Sequence, residues 1–531
     1  MQFQTGTFVT SMIDQKSTLP SAYDTPVNAY DEAFMEDRQP RPHWEPILRS
    51  MENLTVEEMH DRQRRAQRIL REDGATYNLT SDPLTPSVWS LDLIPNIIET
   101  NEWLSIEQGL AQRSTLFDLI LKDLYGPQEL LKNGIIPSEI IFSHPGFLRP
   151  CHGVTVPGEH QLLLHAVDLV RNPMGQFQVI SDRTQVPSGA GYALENRAVV
   201  SRVIANNFRE SQVRRLAGFF QSFKNMLSSL SSQWTDTPRI VMLSPGAYSS
   251  TYFEQAYLSN YLGFPLVQGS DLTVRNGAVW MKSLNGLARV DVILRRVDDA
   301  YCDQAELRAD SFLGVPGLLE VVRAGNVVLA NPLGSGILEA PALLKFLPAI
   351  SEFLMGEQLT LPTVTTWWCG DADDLHYVLS NLSHLIIKPT IRRHDTNSIY
   401  GHTLTEKQKL STIEKIKRNP HLYTAQSYIP GSMSPIWLDE KIQARPSLMR
   451  AFTVSGPQGY SVMPGGLSRT GESHKEAIGS NISGSKSKDT WVLAAEPEPQ
   501  AASIIEQVLL QDEALQANLP SRVVENLFWM S

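Results

Sequence analysis

Residues 162–197 read LLLHAVDLVRNPMGQFQVISDRTQVPSGAGYALENR. Two short apolar runs, LLLHAVDLVR and QFQVISD, flank the turn formers Asn172-Pro173-Met174-Gly175. Apolar runs of strand length around such a turn predict a β-hairpin. Asp168, Arg171 and Asp182 fall near its ends. Directly after it, Pro187-Ser188-Gly189-Ala190-Gly191-Tyr192 leads into Leu194-Glu195-Asn196-Arg197. This sets two glycines, a hydroxyl and an Asn between opposite charges at a strand-to-helix junction. Such a junction works in one of two ways. Its free amides face an anion, or it caps and packs the start of the helix.

C-terminal to this stretch, residues 238–330 predict a doubly wound α/β unit. RIVMLS, PLVQG, VDVILRR and NVVLAN read as strands, and Thr251 to Leu262 as a helix. Strands alternating with helices favour a largely parallel sheet. LTVRNGAVWM is a separate hairpin with Asn276-Gly277 at its tip, the strongest short hairpin signal. Residues 331–465 continue as α+β, with helices at Leu343–Leu354 and Glu406–Lys417 and strands HLIIKP, YTAQSY and MRAFTV. Residues 470–489 read as loop, EPEPQAA at 496–502 as linker, and Ala501 to Ala517 as helix. The final LPSRVVENLFWMS is an apolar helix start cut short, which points to a truncated polypeptide or a helix docking on a partner.

N-terminal to the quoted stretch, residues 1–45 are polar and Pro-rich, an extended arm with Tyr30, Asp31, Glu32 and Phe34 as anchors. Thr55 and Glu58 form a capping box that opens a helix to about Arg71. Trp103 to Tyr125 is a second helix, stopped by Gly126-Pro127. The resulting division is 1–150 for the arm and helical region, 151–235 for the strand–turn–helix part and 236–330 for the doubly wound unit. Residues 331–493 are the further lobes, and 494–531 the linker and helix start.

The chain has 531 residues, 42% hydrophobic and 19% charged, enough to bury a large core. Its 46 Lys and Arg against 57 Asp and Glu give −11, so nucleic acid and anionic membranes are disfavoured as partners. A local basic pocket stays open to it. MQFQTGTFVTSMIDQKS lacks a basic n-region, and no apolar run reaches ~18 residues, so neither secretion nor membrane spanning is expected. Cys151, Cys302 and Cys369 are widely separated and read as buried thiols in a reducing cytoplasm.

Phosphate-loop, dinucleotide, zinc-protease and nucleophile-elbow motifs are absent from the sequence. Lys388 ends the apolar strand LIIKP, either aiming its charge at a phosphate or lying on the surface. Arg295-Arg296 before Asp298-Asp299 either fork onto a carboxylate or phosphate or form a local ion-pair network. Gly334-Ser335-Gly336 is a ligand-approach turn or a plain one. Pro464 to Arg469 is a second Gly-rich turn, and Ser485-Lys486-Ser487-Lys488-Asp489 a mobile basic loop.

In this order, YDEAFMEDRQPRPHW, PSEIIFSHPGF, HAVDLVR, PSGAGYALENR, LSPGAYSSTYFEQAYL, VILRRVDD, FLGVPGLLEVVRAGNVVLAN, IIKP, MPGGLSR and SKDTWVL resemble the circularly permuted type 2 ATP-grasp proteins. The resemblance runs from about Tyr30 to Leu493. It implies an α/β (α+β) fold with permuted ATP-grasp lobes around a central cleft and an N-terminal helical arm. LPSRVVENLFWM looks like the first helix of the α-E domain that follows this module in longer members, so an α-E domain is the implied partner.

The resemblance further implies an ATP-dependent carboxylate–amine, peptide-like ligase working through an acyl phosphate, with ATP and Mg²⁺ as cofactors. The substrate would be a peptide-like carboxylate or an amine. Arg450 and Arg295 would be catalytic. Lys388, Gln426 and Lys488 would hold the nucleotide. Asp182, Ser188, Glu195, Asn196 and Arg197 would face the substrate, with Asp182 also a weak metal ligand. Several positions depart from the pattern. Ser181-Asp182-Arg183 stands where Glu-Asp-Asn is expected, Pro341 where a lysine is, and Leu448 where an acid is. TIRRHDTNSIYG replaces the Gly-rich loop after Lys388-Pro389. The alternative is a non-catalytic ATP-grasp-like binding module working with an α-E partner. Convergence of two of Asp298, Asp299 and Glu339 within ~4 Å of one point facing Lys388 would favour the ligase, and Arg183 filling that point would count against it.

Overall fold

A computed structural model of the chain describes residue 23 and residues 29–77, 87–232, 235–391, 397–471 and 485–496. The helices expected after residue 500 lie outside the described residues. The hairpin of the opening stretch forms, with Leu164–Arg171 antiparallel to Phe177–Arg183. Leu164–Arg171 is buried at every position, because its sheet is covered on both faces. On its other edge it pairs with the long strand Lys441–Gly456, nearly three hundred residues away in sequence.

Across this eight-stranded sheet the order is Leu91–Ile98, Lys486–Val492, Leu467–Thr470, Lys441–Gly456, Leu164–Arg171, Phe177–Arg183. Ser432–Leu438 and Gly459–Val462 pair with the two ends of the long strand. The sheet therefore draws strands from both sides of the divisions drawn at 150 and 330.

Alternation sorts the side chains. Val167, Leu169, Met449 and Ala451 meet Trp103, Ile106 and Leu110 of the helix Thr100–Leu124. Ala166, Phe452, Val454 and Leu467 meet the opposite layer, built from the helices Ala190–Val203 and Ala217–Ser229. At Ile180 the strand Phe177–Arg183 bulges, since Leu169 faces Val179 while Asp168 faces Ser181.

The doubly wound unit also forms. Its four strands run Val328–Ala330, Val292–Arg295, Ile240–Leu243, Leu266–Val267, all parallel. The Asn276-Gly277 hairpin forms apart from it, joined by Gly286–Val290. A smaller antiparallel sheet carries Thr366–Trp368, Tyr423–Ser427, Leu385–Pro389 and Ile399–Tyr400, backed by the helices Ala372–Asn381 and Glu406–Arg418. The Thr55 capping box forms as read. So does the anchoring of the arm: Asp31 bridges to Met433, and Tyr30 lies against Arg41 and Arg171.

The loop reading of Ser485–Asp489 is corrected. Lys486–Val492 is a strand of the large sheet, and Lys488 is wholly buried against Asp92 and the Pro435 carbonyl. Its polar sequence hid the strand because its charges are paired inside rather than solvated.

Asn331 ties the parallel unit to the large sheet. Its Oδ1 accepts from the amides of Leu163 and Leu164, and its Nδ2 donates to the carbonyls of Leu164 and Thr184. All four bonds are buried. Replacing Asn331 with Ala strands buried backbone groups of Leu163, Leu164 and Thr184, at a cost of about 2–4 kcal/mol. Urea unfolding of Asn331→Ala is expected to show the midpoint fall with the slope unchanged.

Candidate functional site

Asp168, Ser181, Arg183, Arg450 and Arg469 lie on one face of the large sheet, set there by register. Asp168 is the cross-strand partner of both Arg450 and Ser181. Arg450 pairs with Leu467, two residues from Arg469 on the same side. Arg450 Nε and Nη2 donate to the two Asp168 oxygens at 2.7 and 3.1 Å, and Nη1 donates to the Ser188 carbonyl at 3.0 Å. Ser181 Oγ adds a 2.7 Å bond to Asp168. Burial alone would raise Asp168. Arg450, and then Arg183, outweigh it and hold the carboxyl well below the usual carboxylate range.

Arg183 reaches from this cluster to a second carboxylate. Its Nε lies 3.5 Å from Asp168 Oδ2, and its Nη1 3.8 Å from Glu339 Oε2. Glu339 Oε1 accepts from the amides of Thr184 and Gln185, both at 2.8 Å. Arg469 is 2% exposed, and its Nε and Nη2 have no hydrogen-bond partner among the described residues.

Asp182 points the other way. Arg113 donates to both its oxygens at 2.7 Å, and His165 Nε2 lies 3.0 Å from Oδ1. Burial works to raise this carboxyl, but Arg113 and His165 hold it down at about 2. Its neighbours belong to the Thr100–Leu124 side of the sheet, so Asp182 and Arg450 do not share a site.

The Pro-Ser-Gly junction does face an anion, and the anion is the chain's own. Gly189 and Gly191 amides donate to Glu254 Oε1 at 2.6 and 3.1 Å. Gly189 has φ of 119°, the left-handed region glycine tolerates, and a Cβ there would meet Phe452 at 3.0 Å. Arg296 closes the arrangement, 3.4 Å from Glu254 and 2.7 Å from the Pro187 carbonyl. Ser188 thus enters through its backbone carbonyl, which accepts from Arg450.

The rest of that helix fastens the fold. Asn196 accepts from Trp89 Nε1, and Arg197 binds Asp489 at 2.7 Å and the Thr490 carbonyl at 2.6 Å. Glu195 is pushed up to about 7, by burial first and then by Asp73, beside Tyr257. Lys488 is held by Asp92. Arg295 clasps the Gly334-Ser335-Gly336 turn through the carbonyls of Asn331 and Pro332 and the Ser335 hydroxyl. It also lies 2.5 Å from Asp299, whose other oxygen accepts from Gly336. Arg295 is 1% exposed, so this expected catalytic residue is a structural clamp in the geometry.

Lys388 and Gln426 do come together. They sit on adjacent strands of the small sheet on one face, and Lys388 Nζ meets Gln426 Oε1. The Gln426 amide also approaches the Ile180 carbonyl at 3.4 Å, at the bulge of the large sheet's edge strand. The pair therefore stands where the two sheets meet. A lysine and an amide there suit a phosphate and a base edge of a nucleotide.

A hard divalent cation needs several free oxygens. Here Asp168, Asp182, Asp299 and Glu339 are each engaged by guanidinium or amide donors, and Arg183 stands between two of them. No group of three metal-type ligands occurs among the described residues. The described residues do not fit Mg²⁺.

Sequence reasoning missed Arg113, Glu254, Asn331 and Arg469. Arg113 gave a signal, since it interrupts the apolar spacing Trp103, Ile106, Leu110, Phe117. Arg469 lay inside a recognised Gly-rich turn without being singled out. Glu254 and Asn331 act across long sequence gaps, where spacing says nothing.

Residues 95–471 match the sequence model described as circularly permuted ATP-grasp type 2. An uncharacterised Mycobacterium tuberculosis protein is 39% identical over 97% of this chain, which spans 59% of that relative's length. An uncharacterised Synechocystis protein is 34% identical over 89% of this chain and 98% of its own. Among solved structures, a glutathione synthetase-like effector from Globodera pallida in its apo form superposes with TM-score 0.55 at 12% identity. That match covers 87% of this chain and all of the effector, a likeness of fold.

Asp182→Asn would leave Arg113 buried without its countercharge, at a cost of about 3–5 kcal/mol near neutral pH. The wild-type pair is fully stabilising above the unfolded carboxyl value of about 3.9, and that contribution fades as pH falls toward the folded value. Unfolding at several pH values is expected to show wild type and Asp182→Asn converging between about pH 4 and 2.

Proposed function

The chain belongs to the circularly permuted ATP-grasp type 2 family, and from that premise we propose that it is a nucleotide-binding module of the carboxylate–amine ligase class that binds without a divalent-metal centre. The observation that carries this reading is Arg183 standing between Asp168 and Glu339. A guanidinium placed there neutralises the carboxylates that a cation would need. The inward commitment of Asp182 and Asp299 supports the same conclusion.

The nucleotide side is better provided. Lys388 would bring its charge to the phosphates and Gln426 its amide to the base edge. ATP supplies a transferable phosphoryl group when bound. The chain's own residues hold the nucleotide between the small sheet and the bulged edge of the large one. In this reading the module works with a helical partner of the α-E type, which the LPSRVVENLFWM segment suggests. The buried free thiols Cys151, Cys302 and Cys369 suit a reducing cytoplasm. Among the described residues no helix is long and apolar enough to cross a membrane.

A second reading, a working ligase for a peptide-like carboxylate and an amine, is favoured by one observation. Arg450 is fixed by a bidentate pair at the mouth of the Pro-Ser-Gly junction, as a residue that steadies developing negative charge would be.

Calorimetric titration separates the two. The metal-free module is expected to bind ATP with an affinity that Mg²⁺ changes by less than about twofold, and Lys388→Ala to weaken it about tenfold. Mg²⁺-strengthened binding, with ADP released when an amine and a carboxylate are added, would establish the ligase instead.

A further inference from the structure

We propose that the cavity along the free edge of the parallel sheet is a binding site for a small neutral amide, a CO–NH unit carrying aliphatic groups. The site goes beyond the nucleotide reading, because it is lined by neither Lys388 and Gln426 nor Arg183 and Arg450.

The first ground is the enclosure. The cavity holds about 420 Å³, inside the range of roughly 300–1,000 Å³ common to small-molecule sites. Leu121 and Tyr125 at the end of the long helix, Val154 and Val156 of the following loop, and Leu319 and Val322 of the helix Leu318–Arg323 wall it. Such walls favour an aliphatic body. They come from three separate segments around one space, which suits a compact molecule rather than a chain running through.

The second ground is a backbone donor and acceptor without partners. Val327, Val328 and Leu329 complete the lining. Val328–Ala330 is the edge strand of its sheet, paired there with Val292–Arg295 alone. The Val328 amide donates to the Asp291 carbonyl at 3.0 Å, which turns Val328 toward that neighbour. Successive residues of a parallel ladder turn to opposite edges, so the Leu329 amide and carbonyl face the free one. Leu329 is 2% exposed, and neither group has a hydrogen-bond partner among the described residues. A buried donor and acceptor left open cost stability, and a ligand CO–NH answers both at once.

The third ground is the charge at the rim. Glu159 is exposed there, and no ion pair reaches it among the described residues. Lys122, the cation of the lining, is already held by Asp118 at 2.8 Å. A carboxylate ligand would meet an unbalanced negative charge, whereas a neutral amide would not.

The experiment is calorimetric titration of the full chain with N-acetyl-L-leucine N-methylamide, without nucleotide. Binding is expected with Kd below about 1 mM. N-acetyl-L-leucine methyl ester, which lacks the C-terminal N–H, is expected to bind about fivefold more weakly, and the free acid N-acetyl-L-leucine at least as much more weakly. Val154→Phe and Val322→Phe fill the cavity from opposite walls, and each is expected to weaken the amide about tenfold. Circular dichroism checks both folds, and the amide–ester comparison on wild type decides the matter if neither variant folds. No heat with the amide, equal binding of amide and ester, or binding that both folded variants leave unchanged would each overturn the proposal. A free acid that binds as tightly as the amide would overturn the neutral assignment. A pentapeptide carrying the same leucine at its centre and binding more tightly than the amide would overturn the small-molecule assignment. With nucleotide absent throughout, failure of the Lys388–Gln426 reading leaves this test intact.

Discussion

A charge taken out of water must be paired, and the eight-stranded sheet carries that constraint on both faces. Asp168 with Arg450 occupies one face, and Asp182 with Arg113 the other. Lys488 with Asp92 and Arg197 with Asp489 continue the pattern along the same sheet. Each pair joins elements far apart in sequence, so each fixes where one segment lies on another. Breaking such a pair leaves a buried charge, which costs more than the pair contributes. The pairs therefore act as register marks for the assembly of the sheet.

The same constraint shapes the site. Carboxylates that could have served a cation are spent on guanidinium and amide donors. Arg183 joins two of them, and Asp299 is held by Arg295 and Gly336. Arg469 keeps Nε and Nη2 without a hydrogen-bond partner among the described residues, and Lys388 bonds Gln426 where the two sheets meet.

Much of the architecture was legible before the structure. The hairpin at 164–183, the parallel unit, the Asn276-Gly277 turn and the Thr55 capping box all rest on local signals that the fold respects. The collinear motifs identified the family, and residues 95–471 match its description. The site was only partly legible. Lys388 and Gln426 come together, whereas Asn196, Arg197 and Lys488 bond between the helix and the sheet or within the sheet. Their polar character looked like function because a buried ion pair and a binding residue have the same composition.

The sequence by itself determined the family and the elements that carry local signals, because period, turn chemistry and motif order are local properties of the chain; the polar strand Lys486–Val492 carried none. Only the tertiary structure decided which charges face one another. Strand alternation and the bulge at Ile180 send Asp182 and Arg183 to opposite faces. Pairing across nearly three hundred residues then sets Arg450 against Asp168 and leaves Arg469 Nε and Nη2 without a partner among the described residues. Partners so distant are chosen by sheet register and burial, which spacing along the chain does not record.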